Sequence, residues 1–224
     1  MPSILLPRRF YNQPQCAVQV DWEHPLLKGC GYVFDGRNSY TRDGEVVSGT
    51  INGVCEYGVY GTSGGVHAKP VHGKYYKALA GRMRLKVAAD LTNYDAFAKE
   101  GYYASNTDNE LFQVGNWVTS GTHGLNYRYD SPDLAASTWP ETFPRADTFT
   151  LLGDYTAATI KYYRSGVLYK SGARKGSAVP AYDSRAEVEF SHCVYGFAYG
   201  SDSPIEIDWD ALHRNPWQVF RVSE

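Results

Sequence analysis

The chain has 224 residues and a formal net charge of −2, with an isoelectric point near 6.3. Its hydrophobic fraction of 43% is that of a globular domain and excludes a disordered chain, while the absence of a basic run argues against sequence-independent binding of nucleic acid. No stretch approaches the roughly 18 apolar residues of a transmembrane helix, and the first residues lack the apolar run of a signal peptide, so we expect a protein that is made and kept in a cytoplasm.

Residues 1–23 are predicted to form an extended N-terminal arm. Pro7 and Pro14 lack backbone donors and disfavour a helix in this segment. Such an arm can pack along its own domain or lie on a neighbouring subunit, and the sequence does not decide between the two. Residues 24–224 are predicted to form one domain, since all-β domains often run to roughly 200–250 residues.

From residue 31 onward the pattern predicts short strands broken by turns. The 19 Tyr, 5 Trp and 9 Phe fit a pleated, half-buried surface, and the 22 Gly and 11 Pro supply turns. Without helical patterns between the strands, we predict an all-β protein, an antiparallel β-sandwich. The predicted strands are Gly31–Phe34, Glu45–Ile51, Gly53–Tyr60, Tyr75–Ala80, Arg82–Ala89, Leu111–Val118, Gly124–Tyr129, Thr148–Gly153, Thr159–Arg164, Val167–Lys170, Ala186–Phe190, Val194–Tyr199 and Ile205–Trp209.

Two local patterns refine this assignment. Charged and apolar residues alternate in Arg82–Ala89, which places Met83, Leu85 and Val87 inward. The segment Gly64–Lys74, which carries two histidines, is predicted to be a mobile loop.

One short helix is predicted at Asp210–Arg214. Asp208 or Asp210 is its expected N-cap. Pro216 disfavours helical geometry at the residue before it and ends the helix.

A hairpin in the last third of the chain resembles a known family. Two alternating runs meet at Ser165-Gly166, a step typical of a tight hairpin with glycine at positive φ. Tyr163–Leu168 resembles the Y-x-N-G-x-L hairpin of concanavalin-like, laminin-G-like jelly-roll domains, with Ser165 where Asn is usual. Phe149–Ile160 is similar to the strand that precedes that hairpin in the family. The resemblance implies that the sandwich is a jelly roll.

Both ends of the chain are similar to proteins of bacteriophage structural genes. Asn215–Phe220, which reads NPWQVF, looks like the N-P-W-Q-[ILV]-F tail of such jelly-roll domains, and Gln13–Gly29 resembles their opening. The resemblance covers roughly residues 10–35 and 145–222. It implies a non-enzymatic structural component of a virion, a head or tail decoration or assembly protein present in several copies and in contact with other virion proteins.

Three carboxylates alternate around the predicted strand Ile205–Trp209. Glu206, Asp208 and Asp210 would share one face of a strand, about 6–7 Å apart at successive steps. The first two match the E-[IL]-D-x-x-E motif of laminarinase-type glucanases, which share the jelly-roll fold, but Ala211 stands at the acid/base position. Because a retaining glycosidase needs both carboxyl groups, we expect no catalytic residue here and no enzyme.

Metal and cofactor binding are not predicted. Cys16, Cys30, Cys55 and Cys193 stand apart, without C-x-x-C or histidine at ligand spacing, and are expected to be reduced thiols. The six histidines, at positions 24, 67, 72, 123, 192 and 213, are scattered and match no metal-binding spacing.

An alternative hypothesis is a lectin-like, carbohydrate-binding module that contacts a glycan on the host surface. Aromatic and amide side chains stack on and hydrogen-bond to sugars. The candidate contacts, for a glycan or for a protein partner, are Tyr102, Tyr103, Trp117 and Trp139.

The C-terminal tail is predicted to be a structural clasp and not a ligand site. Pro216 fixes the direction in which the chain leaves the helix. Trp217 and Phe220 should then fold back onto the sandwich, burying on the order of 150–250 Å² each.

Overall fold

The computed structural model describes residues 9–42, 46–49, 66–68, 76, 78–84, 94–104, 107–119, 122–129, 139–140, 146–154, 159–164, 166–173, 187–190, 193–200 and 206–223. Side chains are described at 9–42, 76, 78–82, 148, 150, 152, 161–163, 166–168, 171, 187–190, 193–200 and 206–223. For the other strand residues in these ranges, only the backbone and its strand pairing are described.

The described strands build two large sheets and one small one. In chain order they are β1 (Val18–Val20), β2 (Cys30–Phe34), β3 (Ser39–Thr41), β4 (Val46–Gly49), β5 (Val66–Ala68), β6 (Ala78–Arg84), β7 (Tyr94–Ala104), β8 (Thr107–Thr119), β9 (Thr122–Tyr129), β10 (Trp139–Pro140), β11 (Ala146–Asp154), β12 (Thr159–Arg164), β13 (Val167–Ala173), β14 (Glu187–Phe190), β15 (Cys193–Tyr199) and β16 (Phe220–Val222). One α-helix, α1 (Trp209–Arg214), and 3-10 turns at Pro25–Leu27 and Pro216–Val219 complete the described elements.

Each large sheet has seven strands. The first sheet runs β10-β9-β8-β7-β14-β5-β4, and the second sheet runs β13-β12-β11-β6-β15-β2-β3. β1 and β16 form a separate two-stranded sheet. All of the described pairings are antiparallel. The predicted fold class, an all-β antiparallel β-sandwich with one short C-terminal helix, is confirmed in the described residues.

Most predicted strands have a counterpart within a few residues of the expected bounds. They are β2, β4, β8, β9, β11, β12, β13, β14 and β15. The predicted hairpin also forms, since β12 pairs with β13 and Gly166 between them has a φ of 77°. The predicted strand Gly53–Tyr60 and the inward positions Leu85 and Val87 lie outside the described residues, as does the side chain of Met83.

Several predictions about strands were wrong. Tyr75–Ala80 and Arg82–Ala89 were separate predictions, yet one strand, β6, runs through Gly81 because that glycine pairs with Gly196 in the middle of the sheet. The predicted loop Gly64–Lys74 contains β5, which pairs with both β4 and β14. The sequence pattern also missed β3, β10 and the whole of β7, because pairing with a neighbouring strand can impose an extended backbone without an alternating pattern.

The two large sheets contact each other through aromatic side chains. Phe190 of the first sheet stacks on Tyr32 of the second, with ring centroids 5.9 Å apart and planes 17° apart. A Cβ at Gly196 would lie 2.6 Å from the ring of Phe190. Glycine at this position therefore lets the aromatic ring approach the second sheet.

The opposite face of the second sheet is also buried. All seven residues of β15 are buried, and Tyr195, Phe197 and Tyr199 belong to a core that includes Trp209 and Trp217. The arm contributes side chains to the edge of the same core, including Phe10 and Val18. This outer face is therefore covered by residues from the two ends of the chain.

The expected acidic strand Ile205–Trp209 is contradicted by the structure. Residues 206–208 are irregular, and α1 begins at Trp209 rather than at Asp210. The Oδ1 atom of Asp208 accepts a hydrogen bond of 2.9 Å from the backbone N–H of Ala211, so Asp208 is the N-cap. Helix capping satisfies an otherwise orphaned N–H group, and it outweighs the alternating pattern that suggested a strand.

The predicted burial of the C-terminal tail is confirmed. Trp217 is 8% exposed and Phe220 is fully buried. The ring of Trp217 meets that of Tyr195 edge to face at 5.6 Å. Pro216 opens the 3-10 turn that directs these rings onto the second sheet.

We predict that Trp217→Ala lowers the free energy of unfolding by about 3–5 kcal/mol, because it leaves a cavity between α1 and the second sheet. Truncation after Arg214 should abolish soluble folding or lower the thermal midpoint further. Urea denaturation measures the free energy of unfolding, and a thermal melt measures the midpoint of the truncated chain. Tyr11→Ala is the matched control, since Tyr11 is 83% exposed and its loss should cost less than about 0.5 kcal/mol. An unchanged midpoint for the truncated chain would show that the tail is an interface instead.

Candidate functional site

The two ends of the chain meet in a backbone ladder. β1 pairs with β16 in a register that places Val18 opposite Val222 and Val20 opposite Phe220. The N–H of Asp21 donates to the carbonyl of Val219 at 2.7 Å. At the other end of the ladder, the N–H of Ser223 donates to the carbonyl of Ala17 at 3.1 Å. In the single chain the arm thus packs along its own domain.

A buried carboxylate joins the arm to the tail. The carboxyl oxygens of Asp21, whose side chain is 4% exposed, lie 2.8 Å from Arg9 Nη1 and 2.5 Å from Arg221 Nη2. Burial raises the pKa of this carboxyl, but the hydrogen bonds and charges of Arg221 and Arg9 outweigh burial and hold the pKa below its ordinary value. Asp21 is therefore ionised wherever the protein is folded near neutral pH.

The residues of the NPWQ motif hold the tail and the arm through polar contacts. The side chain of Asn215 accepts a hydrogen bond from Trp217 N–H and donates one to the carbonyl of Phe10. The amide nitrogen of Gln218 donates to the carbonyls of Ala211 and Asn215. The carbonyl of Gln218 in turn accepts from Arg9 at 2.9 Å. Each polar residue of the motif therefore has a structural role in the described contacts.

The start of the described arm is attached to the turn after β2. The buried side chain of Gln13 donates a hydrogen bond of 2.9 Å to the carbonyl of Asp35. The Asp35 carboxylate accepts from the N–H groups of Arg37 and Asn38 and from the hydroxyl of Tyr40. These bonds fix the turn and hence the position of the carbonyl that Gln13 contacts.

A half-buried histidine connects α1 to the second sheet. His213 Nε2 lies 2.8 Å from Thr150 Oγ1, and its Nδ1 lies 2.9 Å from the hydroxyl of Tyr195. Burial, with a smaller contribution from the charge of Arg82, lowers the pKa of His213 to about 4. The imidazole is neutral at pH 7 and can donate to one hydroxyl while accepting from the other.

The β12–β13 hairpin also packs against α1 at its turn. A Cβ at Gly166 would lie 2.8 Å from the Cα of Asp210, so both the positive φ and this close approach require glycine. The next two residues, Val167 and Leu168, are 70% and 48% exposed. Ser165 lies outside the described residues.

The aromatic residues predicted to contact a glycan or a partner do not gather at one place in the register. Tyr102 and Tyr103 pair with Asn109 and Asp108 near the β7–β8 turn, whereas Trp117 pairs with Tyr94 at the other end of β7. Eight residues separate positions 94 and 102, roughly 26 Å along a strand. Trp139 lies on the edge strand β10, opposite Leu125, and is nearer to Trp117, whose partner on β9 is Gly124. Their role in binding stays a prediction.

Two of the three carboxylates expected on the acidic strand contact the helix instead. Asp208 caps α1, and Asp210 forms an ion pair of 3.0 Å with Arg214 one turn later in the helix. Among the described residues, no group of three or more His, Cys, Asp or Glu side chains could hold a metal ion. In the described part of the chain, no helix has the length and apolar character to cross a membrane.

The cysteines among the described residues form no disulfide. Cys16 is exposed, while Cys30 and Cys193 are buried. Burial raises the pKa of the Cys30 thiol to about 12, so it is protonated and unreactive. His67 lies on β5, while Cys55 and His72 lie outside the described residues.

Comparison with known proteins finds similarity of architecture. No family model matches the chain, and no curated protein matches it. Similar solved structures include the carbohydrate-binding module CBM40 of a Ruminococcus gnavus sialidase bound to α2,3-sialyllactose (11% identity, TM-score 0.44, 77% of this chain and 95% of that one). They also include a Bacillus licheniformis β-glucanase (12%, 0.40, 76% and 99%) and a heptameric pentraxin from Limulus polyphemus (12%, 0.38), of which the match covers 66% against 59% of this chain. At these values the similarity assigns no residue of this chain to a site.

We predict that the stability of the protein falls as the pH is lowered from 6.5 toward 4, through His213. The unfolded chain binds a proton near pH 6.5 and the folded one near pH 4, so the stabilisation is complete above 6.5 and is lost between these values. Urea denaturation at pH 7.5, 6.5, 5.5 and 4.5 should show that the free energy of unfolding falls by roughly 1–3 kcal/mol across this range. In His213→Gln this loss should shrink, and an equal loss in both proteins would contradict the assignment.

Proposed function

We propose that this chain is a non-enzymatic assembly module, a structural component of a bacteriophage particle that acts through protein–protein contacts. One observation carries the proposal: the two segments that resemble phage structural proteins, Gln13–Gly29 and Asn215–Phe220, lie together in one contact unit. Val20 pairs with Phe220 in the β1–β16 ladder, and the N–H of Asp21 donates to the carbonyl of Val219. A resemblance split between distant parts of the sequence thus corresponds to one part of the fold.

A structural role also agrees with what the candidate catalytic residues do. Asp208 and Asp210, which a glucanase reading would need on a strand, cap and support α1 instead. The polar residues of the tail are bonded to the chain itself rather than directed to a ligand. Fold similarity alone assigns no activity, since one fold hosts many functions.

A binding experiment tests this proposal. We expect the purified chain to cosediment with phage particles assembled without it, and native mass spectrometry to count several copies per particle. Heat-unfolded chain serves as the control for non-specific adhesion. A chain that stays monomeric at all concentrations and does not bind such particles would overturn the proposal.

A glycan-binding role is the second candidate, through tryptophans of the first sheet that can stack on sugar rings. Trp139 is opposite Leu125 and Trp117 is opposite the preceding Gly124, so strand alternation assigns the two to opposite faces and each would bind a sugar separately. We expect a positive signal on a glycan array and its loss in Trp117→Ala or Trp139→Ala, with Tyr11→Ala as an exposed-aromatic control. Calorimetry that detects no saccharide for the wild type would remove this candidate and leave the assembly role standing.

A further inference from the structure

The N-terminal arm is attached through contacts that form a separable set. Within the described sheets, β1 pairs with β16 and with no strand of the two large sheets. Other described contacts of the arm with the domain include those of Arg9 with the carbonyl of Gln218, Gln13 with the carbonyl of Asp35, Asn215 with the carbonyl of Phe10, Arg37 with Gln15, and Asp21 with Arg221. The arm therefore recognises the domain through a backbone ladder, several side-chain contacts and the apolar packing of residues such as Phe10 and Val18.

The connection between the arm and the domain is short. Asp21 and His24 form a turn in which His24 N–H donates to the carbonyl of Asp21 at 2.9 Å. His24 itself is extended, with φ −63° and ψ 135°, as expected before Pro25. The side chain of Glu23 is 88% exposed and forms an ion pair of 2.9 Å with Arg42, which also donates to the carbonyl of Trp22. Opening this turn and releasing Arg42 lets the extended chain continue away from its own domain.

We propose that the groove formed by β16, Gln218 and the Asp35 turn accepts the arm of a second copy of this chain when the protein assembles. This inference rests on the proposed role in assembly and names the partner, a neighbouring copy, and the segment that it exchanges. Exchange of an identical element between protomers costs little, because the same contacts form in both arrangements. The occupant is specified by the complementarity already present: an extended strand with Arg9, Gln13 and Asp21 at matching positions.

The length of the arm and mass action make exchange possible. Residues 9–21, when extended, span roughly 40 Å. In a dilute solution the attached arm has a high effective concentration at its own groove, whereas neighbouring grooves in an assembled particle compete with it at similar concentration. The arm is therefore expected on its own domain in the dilute monomer, whereas in the assembly a share of the arms is expected on neighbouring domains.

Disulfide trapping distinguishes the two arrangements. Val18 and Val222 are directly opposite each other, and the flanking hydrogen bonds from Asp21 to Val219 and from Ser223 to Ala17 make theirs a non-hydrogen-bonded pair. Such pairs bring the Cα atoms to about 4.5 Å, within the range of a disulfide. Val18→Cys and Val222→Cys are placed on separate, differently tagged chains, both in a Cys16→Ser, Cys55→Ser background.

The two chains are mixed, assembled on particles that lack the protein, oxidised and run on a non-reducing gel. We expect the particle-bound chains to shift from the one-chain band to a two-chain band that carries both tags. Val18→Cys mixed with Leu168→Cys is the control pair, because exposed Leu168 lies on β13 outside the ladder, and it should stay in the one-chain band.

A chain that carries both Val18→Cys and Val222→Cys tests folding and the ladder at once. In the dilute monomer it should close a disulfide within one chain, and on particles it should link chains to each other. Particle-bound protein whose disulfides all remain within single chains would overturn the exchange while leaving the assembly role intact. Failure of the wild-type chain to bind particles would overturn the assembly role and the exchange together.

Discussion

The second sheet of this sandwich has to be covered on both faces, and much of the described structure follows from that constraint. In β15 every side chain is buried, although an antiparallel sheet commonly packs one face and leaves the other in water. The first sheet covers one face through Phe190, which fits over Gly196 and Tyr32. Residues from both ends of the chain cover the other face, where Trp209, Trp217 and Phe220 lie over Tyr195 and Tyr199.

Covering a sheet with the two ends of the chain brings their polar backbone and side-chain groups close to an apolar core. Arm and tail carry backbone N–H and C=O groups and charges close to an apolar core, and unpaired buried groups are costly. The described contacts answer this with paired groups: Asp21 between two arginines, Asn215 between arm and tail, and His213 between two hydroxyls. The polar residues of the arm, α1 and the tail therefore satisfy the hydrogen bonds and charges that burial of the neighbouring aromatic residues would otherwise leave unpaired.

The same arrangement links stability to assembly. The aromatic residues of α1 and the tail lie in the core and are expected to stay there. The arm packs only at the edge of the core and is held there by a ladder and by side-chain contacts. A domain with a stable core and a peripheral, strand-forming arm can exchange the arm without unfolding, since stability is not uniform across a structure.

The sequence by itself determined the class of fold, the hairpin turn and the burial of the tail. Alternating runs, Gly166 at positive φ and the apolar pair Trp217 and Phe220 are local signals, and local signals survive in the fold. Tertiary structure alone decided that β5 pairs within a predicted loop and that the arm lies on its own tail. It also decided the roles of Asp21 and His213, whose partners are up to 200 residues away in sequence. Such contacts depend on which segments the core brings together, and no local pattern encodes them.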